Sequence, residues 1–205
     1  LFPYTTLFRS VESWGGLRNC RLYQRRKFMK RKVQEYFFYF MLYSILGWIY
    51  EVFLEVVIYK WGFSNRGVLF GPYCVIYGVG AFVLIILLGK AKQKAVHIGK
   101  WNVTPILIFI AIIGITTVIE LIGSYIMEFT RGEWLWDYTR FRFNYQGRIA
   151  LNPSIRFGIG GMIFLYVLQP IFVKLTEKMN RRLFEKIVAI MGILFAADVL
   201  VLIIK

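Results

Sequence analysis

Apolar residues run along the chain in five long blocks, near residues 36–59, 67–88, 104–128, 157–175 and 184–204, separated by short polar stretches. An α-helix rises about 1.5 Å per residue, so roughly 30 Å of hydrocarbon is crossed by about 20 residues. Each block is of that order. The pattern predicts an all-α integral membrane protein with about five transmembrane helices. Acidic residues well inside the blocks are few: Glu51 and Glu55 in the first, Glu120 in the third and Asp198 in the fifth.

Composition sharpens this picture. The chain is 58% hydrophobic and 19% aromatic, beyond what a soluble domain of 205 residues carries. Its formal net charge of +15 raises the question of nucleic acid. The basic residues sit in short clusters between apolar blocks, however, and no separate soluble domain exists to bind a polynucleotide. Cys20 and Cys74 are far apart and neither has a His or Cys neighbour at metal-ligand spacing. The single His97 lies in a lysine-rich loop, so neither a histidine-built metal site nor a soluble-enzyme triad is expected, and no cofactor is implied.

The basic clusters also orient the chain. One precedes the first span (Arg18, Arg21, Arg25, Arg26, Lys27, Lys30, Arg31, Lys32), one follows the second (Lys90, Lys92, Lys94, Lys100) and one follows the fourth (Lys174, Lys178, Arg181, Arg182, Lys186). All three fall on one side if the spans alternate, and the positive-inside rule makes that side cytoplasmic. The expectation is a multi-pass plasma-membrane protein with a cytoplasmic N-terminus: a basic segment over 1–35, then a membrane domain over 36–205 with an external segment at 129–156. That external segment holds Arg131, Arg140, Arg142, Arg148 and Arg156 and runs against the rule. No cleavable signal peptide is read. Leu1 to Ser10 looks like a translated adapter fragment and Met29-Lys30-Arg31-Lys32 like a bacterial start, so residues 1–28 are set aside as non-native in functional reasoning.

Two hairpins share a pattern. Glu51 is followed by Arg66-Gly67-Val68-Leu69, Pro72 and Tyr77-Gly78-Val79-Gly80; Glu120 is followed by Arg148-Ile149-Ala150-Leu151, Pro153 and Phe157-Gly158-Ile159-Gly160. The shared elements are Arg-x-x-Leu, a proline, then aromatic-Gly-aliphatic-Gly, with an offset that drifts by two residues. Both hairpins start from the same side, which would make a parallel repeat about an axis along the membrane normal. Counting back from span ends at Tyr59 and Glu128 puts both carboxylates roughly 12 Å below the outer surface. Asp198 comes to a similar depth, and Arg66 and Arg148 enter from that side.

A carboxylate in hydrocarbon costs about 2.5–3.5 kcal/mol on insertion scales, so it faces a partner or water. One reading pairs Glu51 and Glu120 with Arg66 and Arg148, whose planar forks bind carboxylates through two parallel bonds. The other has Glu51, Arg66, Glu120, Arg148 and Asp198 line an outward-facing cavity that binds a polar substrate or relays a proton. Glu55 shares a face with Glu51 but lies near the interface, where solvation is its expected fate. Glycines 67, 71, 78, 80, 158, 160 and 161 are expected to bring helices close, as small residues do in membranes. In the external segment, Trp134 and Trp136 suit an interfacial aromatic belt. Asp137, Tyr138, Asn144, Arg148 and Ser154 fit a capping or re-entrant structure over a site.

These residues together resemble a bacterial family known as putative ABC-transporter type IV, or putative ABC transporter permease (the CmpB family). The resemblance rests on Gly47-Trp48-Ile49-Tyr50-Glu51, Asn65-Arg66-Gly67, Gly71-Pro72, Tyr77-Gly78, Glu120, Trp136-Asp137-Tyr138, Phe143-Asn144, Gly147-Arg148-Ile149 and Ser154. It spans about residues 36 to 165, and Cys74-Val75-Ile76 departs from the family's Cys-Pro-Ile. It implies a transport subunit in the lipid bilayer, with a separate ATP-binding subunit as partner, because the chain has no P-loop with which to hydrolyse ATP. Further copies of the chain are an open alternative as partners; nucleic acid is not among them. Two other functions stay open: a structural or regulatory membrane subunit, and a membrane enzyme acting on a lipid at the outer leaflet.

Overall fold

The computed structural model describes residues 5–60, 62–65, 67–134 and 136–204, the side chains of residues 5–24 and 131 excepted. The chain divides into two compact units, residues 1–37 and 38–205. The first unit is helical from Thr5 onward, within a helix α1 that runs over Thr5–Phe53. There, Glu35 accepts hydrogen bonds from Arg31 Nε at 2.8 Å and Lys32 Nζ at 3.2 Å. Exposed helical pairs at this spacing contribute about 0.2–0.5 kcal/mol.

Within the second unit, α1 ends in a wider π turn over Leu54–Ile58. Helix α2 spans Val75–Leu88, and at 14 residues it is shorter than the block that predicts it. Residues 67–74 are not helical. Pro72 lacks an amide hydrogen and steers the residue before it away from helical dihedrals. Non-helical backbone at membrane depth persists only where protein satisfies its polar groups. Here Asp198 does so, accepting from Phe70 N at 3.1 Å and Gly71 N at 2.7 Å.

The connection to the third helix holds a short turn over Ala91–Gln93 and an antiparallel pair, β1 (His97–Ile98) and β2 (Trp101–Asn102). Helix α3 (Thr104–Arg131) opens with Pro105 in its first turn, where a missing N–H is harmless. It stops at Gly132, whose φ of 80° is left-handed. A second antiparallel pair, β3 (Asn144–Tyr145) and β4 (Ile149–Ala150), leads into the fourth helical rod. That rod is α4 (Leu151–Ile163), a π turn (Phe164–Leu168) and α5 (Gln169–Lys178), so helix begins well before the expected residue 157. Helix α6 covers Arg181–Ile204.

Among the described residues, four helices are long and apolar enough to cross a membrane: Arg25–Ile58, Thr104–Thr130, Leu151–Lys178 and Arg181–Ile204. Only 6% of the most apolar window of α6 is buried within the protein, so nearly all of that surface is left for lipid. Helices α3 and α4 pack closely. A Cβ on Gly158 would sit 2.6 Å from Ile113, and one on Gly161 would overlap the fully buried Ile112. Gly78 plays the same part against Ser44 and Phe40 of α1. Gly80 and Gly160, expected at helix contacts, instead face open space, while Gly67 and Gly71 pack within their own loop against Tyr73. On the other face of α1, Tyr43 donates to the buried Gln169 at 2.8 Å, and Tyr39 shares a 2.9 Å bond with Thr176.

Candidate functional site

Helices α1, α2, α3 and α4 meet around two carboxylates near the end of the bundle that carries the 132–150 connection. Glu51 lies on α1 just before the π turn. Tyr77, in the first turn of α2, donates its hydroxyl proton to Glu51 Oε1. Gly47 makes this approach possible, since any side chain there would overlap the Tyr77 ring. The Tyr77 ring lies edge-on to Tyr50 at 6.3 Å and to Phe157 at 6.0 Å.

Glu120 on α3 is the second carboxylate, with 4% of its surface exposed. Its Oε1 accepts from the Tyr138 hydroxyl at 2.7 Å, whereas Oε2 is buried with no hydrogen-bond partner among the described residues. Glu51 lies within electrostatic reach of both Glu120 and Tyr138, and Tyr138 within reach of Tyr77. The four groups form one cluster of two acids and two phenols. Burial first, then the Glu120 carboxylate, holds the Tyr138 phenol well above its ordinary pKa, so it remains a proton donor.

Arg148 takes a different partner from the one its charge suggests. Glu120, Ser124 and Glu128 are spaced four apart and share one face of α3. Arg148 leaves the β3–β4 loop near the top of that face. Its Nη2 pairs with Glu128 Oε2 at 2.5 Å and its Nη1 reaches Ser124 Oγ at 3.4 Å. Its guanidinium lies between the rings of Tyr125 at 4.3 Å and Trp134 at 4.0 Å. The expected Glu120–Arg148 pair therefore gives way to Glu120–Tyr138 and Arg148–Glu128. Arg148 Nε is left buried without a partner among the described residues. Arg66 lies outside the described residues.

Asp198 has its own set of partners: besides Phe70 N and Gly71 N, its Oδ2 accepts from the Tyr73 hydroxyl at 2.6 Å. It fixes the 67–74 segment. Glu55 is a correction to the expected solvation, being buried with 5% exposure and accepting from Ser64 Oγ at 2.7 Å and Ser64 N at 3.3 Å. A π turn inserts one residue into the helical register and re-aims the side chains beyond it. Glu55 itself lies within the turn at Leu54–Ile58.

The residues expected in an external segment mostly build the connection itself. Asp137 accepts from Thr139 N at 2.9 Å and Thr139 Oγ1 at 3.0 Å, and Asn144 accepts from Gly147 N at 3.0 Å and donates to Phe141 O at 2.6 Å. Gly147 has φ 69° and would, with a Cβ, press on Asp137 Oδ1 at 2.9 Å. Trp136 Nε1 donates to Arg148 O at 2.7 Å. Buried Ser154 on α4 accepts from Thr117 on α3 at 2.8 Å. These bonds set where Tyr138 and Arg148 stand. Among the described residues, no three His, Cys, Asp or Glu side chains converge as metal ligands.

Glu51, Glu120 and Tyr138 stand out in the sequence, whereas Tyr77, Ser124, Glu128 and Tyr73 take their roles only from the fold. Tyr77 stood in a quoted motif beside Gly78. Ser124 and Glu128 follow Glu120 at helical spacing, and that spacing was the available signal.

Fold and site define a multi-pass helical membrane protein with a polar cluster sunk into its helix bundle. The family model described as "Putative ABC-transporter type IV" matches residues 38–203, and the chain belongs to that family. No curated protein and no solved structure matches it.

Proposed function

We propose that the chain is the membrane subunit of a transporter, of permease type, acting with a separate ATP-binding subunit in a bacterial plasma membrane. Its polar site is the Glu51–Tyr77 and Glu120–Tyr138 cluster, in the outer half of the membrane if the basic loops are cytoplasmic. The observation that carries this reading is Glu120: a nearly inaccessible carboxylate whose one bonded oxygen faces a neutral phenol and whose other oxygen has no partner among the described residues. Such a group is too costly to keep for packing alone, and it suits an exchangeable occupant, a proton or a polar solute. Glu51 within electrostatic reach adds a second acceptor.

A parallel internal repeat, which we also propose, would fit the same reading. Gly78 and Gly158, equivalent in the sequence pattern, each pack on the preceding helix, and Gly80 and Gly160 each face open space. The equivalent rings of Tyr77 and Phe157 meet at 6.0 Å. A site at the junction of two repeats is where membrane transporters place their substrates.

The test is purification of the intact protein in mild detergent, with mass spectrometry of what accompanies it, beside E51Q and E120Q variants in cells. A stoichiometric ATP-binding subunit, and variants that lose transport at unchanged abundance, are the expected results. Variants that lower abundance and nothing else, with no ATP-binding subunit recovered, would replace this reading with a structural subunit.

A further inference from the structure

The connection between α2 and α3 carries a feature that the polar site does not use. Between Gly89 and Val103 the sequence has Lys90, Lys92, Lys94, His97 and Lys100 and no acidic residue. This stretch is built rather than loose. Val103 N donates to Val96 O at 2.9 Å, and Thr104 N to Asn102 Oδ1 at 3.0 Å. Thr104 Oγ1 donates to Lys94 O at 3.0 Å and accepts from Val96 N at 2.8 Å. The first turn of α3 thus clamps a small hairpin whose turn is Gly99-Lys100.

At its tip Ile98 pairs directly with Trp101 across the strands. Directly opposed residues project from the same face of a hairpin. Both are large and apolar, and they are 69% and 78% exposed, far more than packing within the protein allows. Because the hairpin joins the ends of two membrane helices, that apolar pair lies at the level where hydrocarbon gives way to headgroups. Tryptophan concentrates at this boundary, and lysines beside it attract anionic headgroups.

We propose that the 89–103 hairpin is an anionic-phospholipid site: Ile98 and Trp101 insert at the interface while Lys94 and Lys100 hold the headgroup phosphates. Charge selects the occupant. A stretch with four lysines and no carboxylate fits a negatively charged surface, and the inserted pair separates a lipid from a free phosphate, which offers no hydrocarbon. Lys92 stands apart, its Nζ donating to Leu165 O at 2.5 Å in the π turn of the fourth rod.

The test uses the full-length protein in vesicles of phosphatidylglycerol or phosphatidylcholine, with bromine near the top of the acyl chains as a quencher. The difference in tryptophan fluorescence between wild type and W101F isolates residue 101. Strong quenching of that difference signal is expected. Native mass spectrometry should show the preference for retained phosphatidylglycerol over phosphatidylcholine falling about fivefold for each lysine removed in K94Q and K94Q/K100Q. Thermal unfolding of the variants, expected to match wild type, keeps misfolding from imitating the effect. An unquenched Trp101, or equal retention of the two lipids by wild type, would overturn the proposal. So would W101F releasing a co-purifying ATP-binding subunit with lipid retention unchanged, since the hairpin would then be a protein-docking element.

Discussion

The two carboxylates are held by the same chemistry on different supports. Glu51 receives its phenol from a helix, with Tyr77 in the first turn of α2 and pressed into the notch at Gly47. Glu120 receives its phenol from an irregular connection, with Tyr138 placed by a web of turn bonds through Asp137, Gly147 and Asn144. A helix fixes a side chain through packing along its length, whereas a loop fixes one through local hydrogen bonds that can be exchanged. On this contrast the first pair would be the rigid half of the site and the second its adjustable half. Movement of the polar cluster would begin at Tyr138.

The largest effect should come from cutting the strut beneath the adjustable half. Arg148→Ala removes the ion pair to Glu128 and the stacking on Tyr125 and Trp134. A buried pair broken on one side costs about 3–5 kcal/mol. Glu128 is 43% exposed, so water solvates the carboxylate left behind and the expected loss falls below that range, at about 2–3 kcal/mol with the lost ring stacking included, measured by unfolding in detergent. Tyr138→Phe comes next. It strips Glu120 of its one bonded donor among the described residues and should cost about 1–3 kcal/mol. If Tyr77→Phe costs distinctly less, the contrast between rigid and adjustable halves is wrong.

Glycine substitutions test whether the halves are equivalent. Gly78→Ala and Gly158→Ala should each destabilise by about 1–3 kcal/mol through overpacking. Gly80→Ala and Gly160→Ala should be neutral or stabilising by up to about 1 kcal/mol, since alanine favours helix and meets nothing there. A pattern that differs between the two hairpins would count against the proposed repeat.

The smallest effect is a pH trend at Lys92, whose pKa burial lowers from its ordinary 10.5. The folded protein then gives up this proton more readily than the unfolded chain. The cost of the buried charge is present in full below the folded pKa and is relieved as pH rises from there toward 10.5. The melting temperature of wild type relative to Lys92→Met should therefore rise over that window, and a flat difference would mean that the ammonium is fully solvated.

The helices were legible because lipid imposes long apolar blocks, and Glu51 and Glu120 because a charge inside such a block has few innocent explanations. What decided the site was less visible. The π turn at Leu54–Ile58 leaves no mark in composition, so Glu55 read as an interfacial residue. Arg148 read as a partner for Glu120 because sequence shows opposite charges and not the reach of a loop. Only the fold shows that Ser124 and Glu128 stand nearer to it. Tyr77 was hidden by its own ordinariness, an aromatic among aromatics until Gly47 is seen to make room for it.

Helix α2 carries one further consequence. Its 14 residues span about 21 Å, less than the roughly 30 Å of a typical hydrocarbon layer. The bilayer beside it must thin or the helix must be shielded by its neighbours, and the mismatch has an energy that depends on acyl-chain length. The segment that makes up the shortfall, 67–74, hangs on Asp198 in the last helix. Membrane thickness would thereby bear on the grip of α6 on the 67–74 segment, and lipids of different length should shift how the bundle sits around Glu51 without touching it.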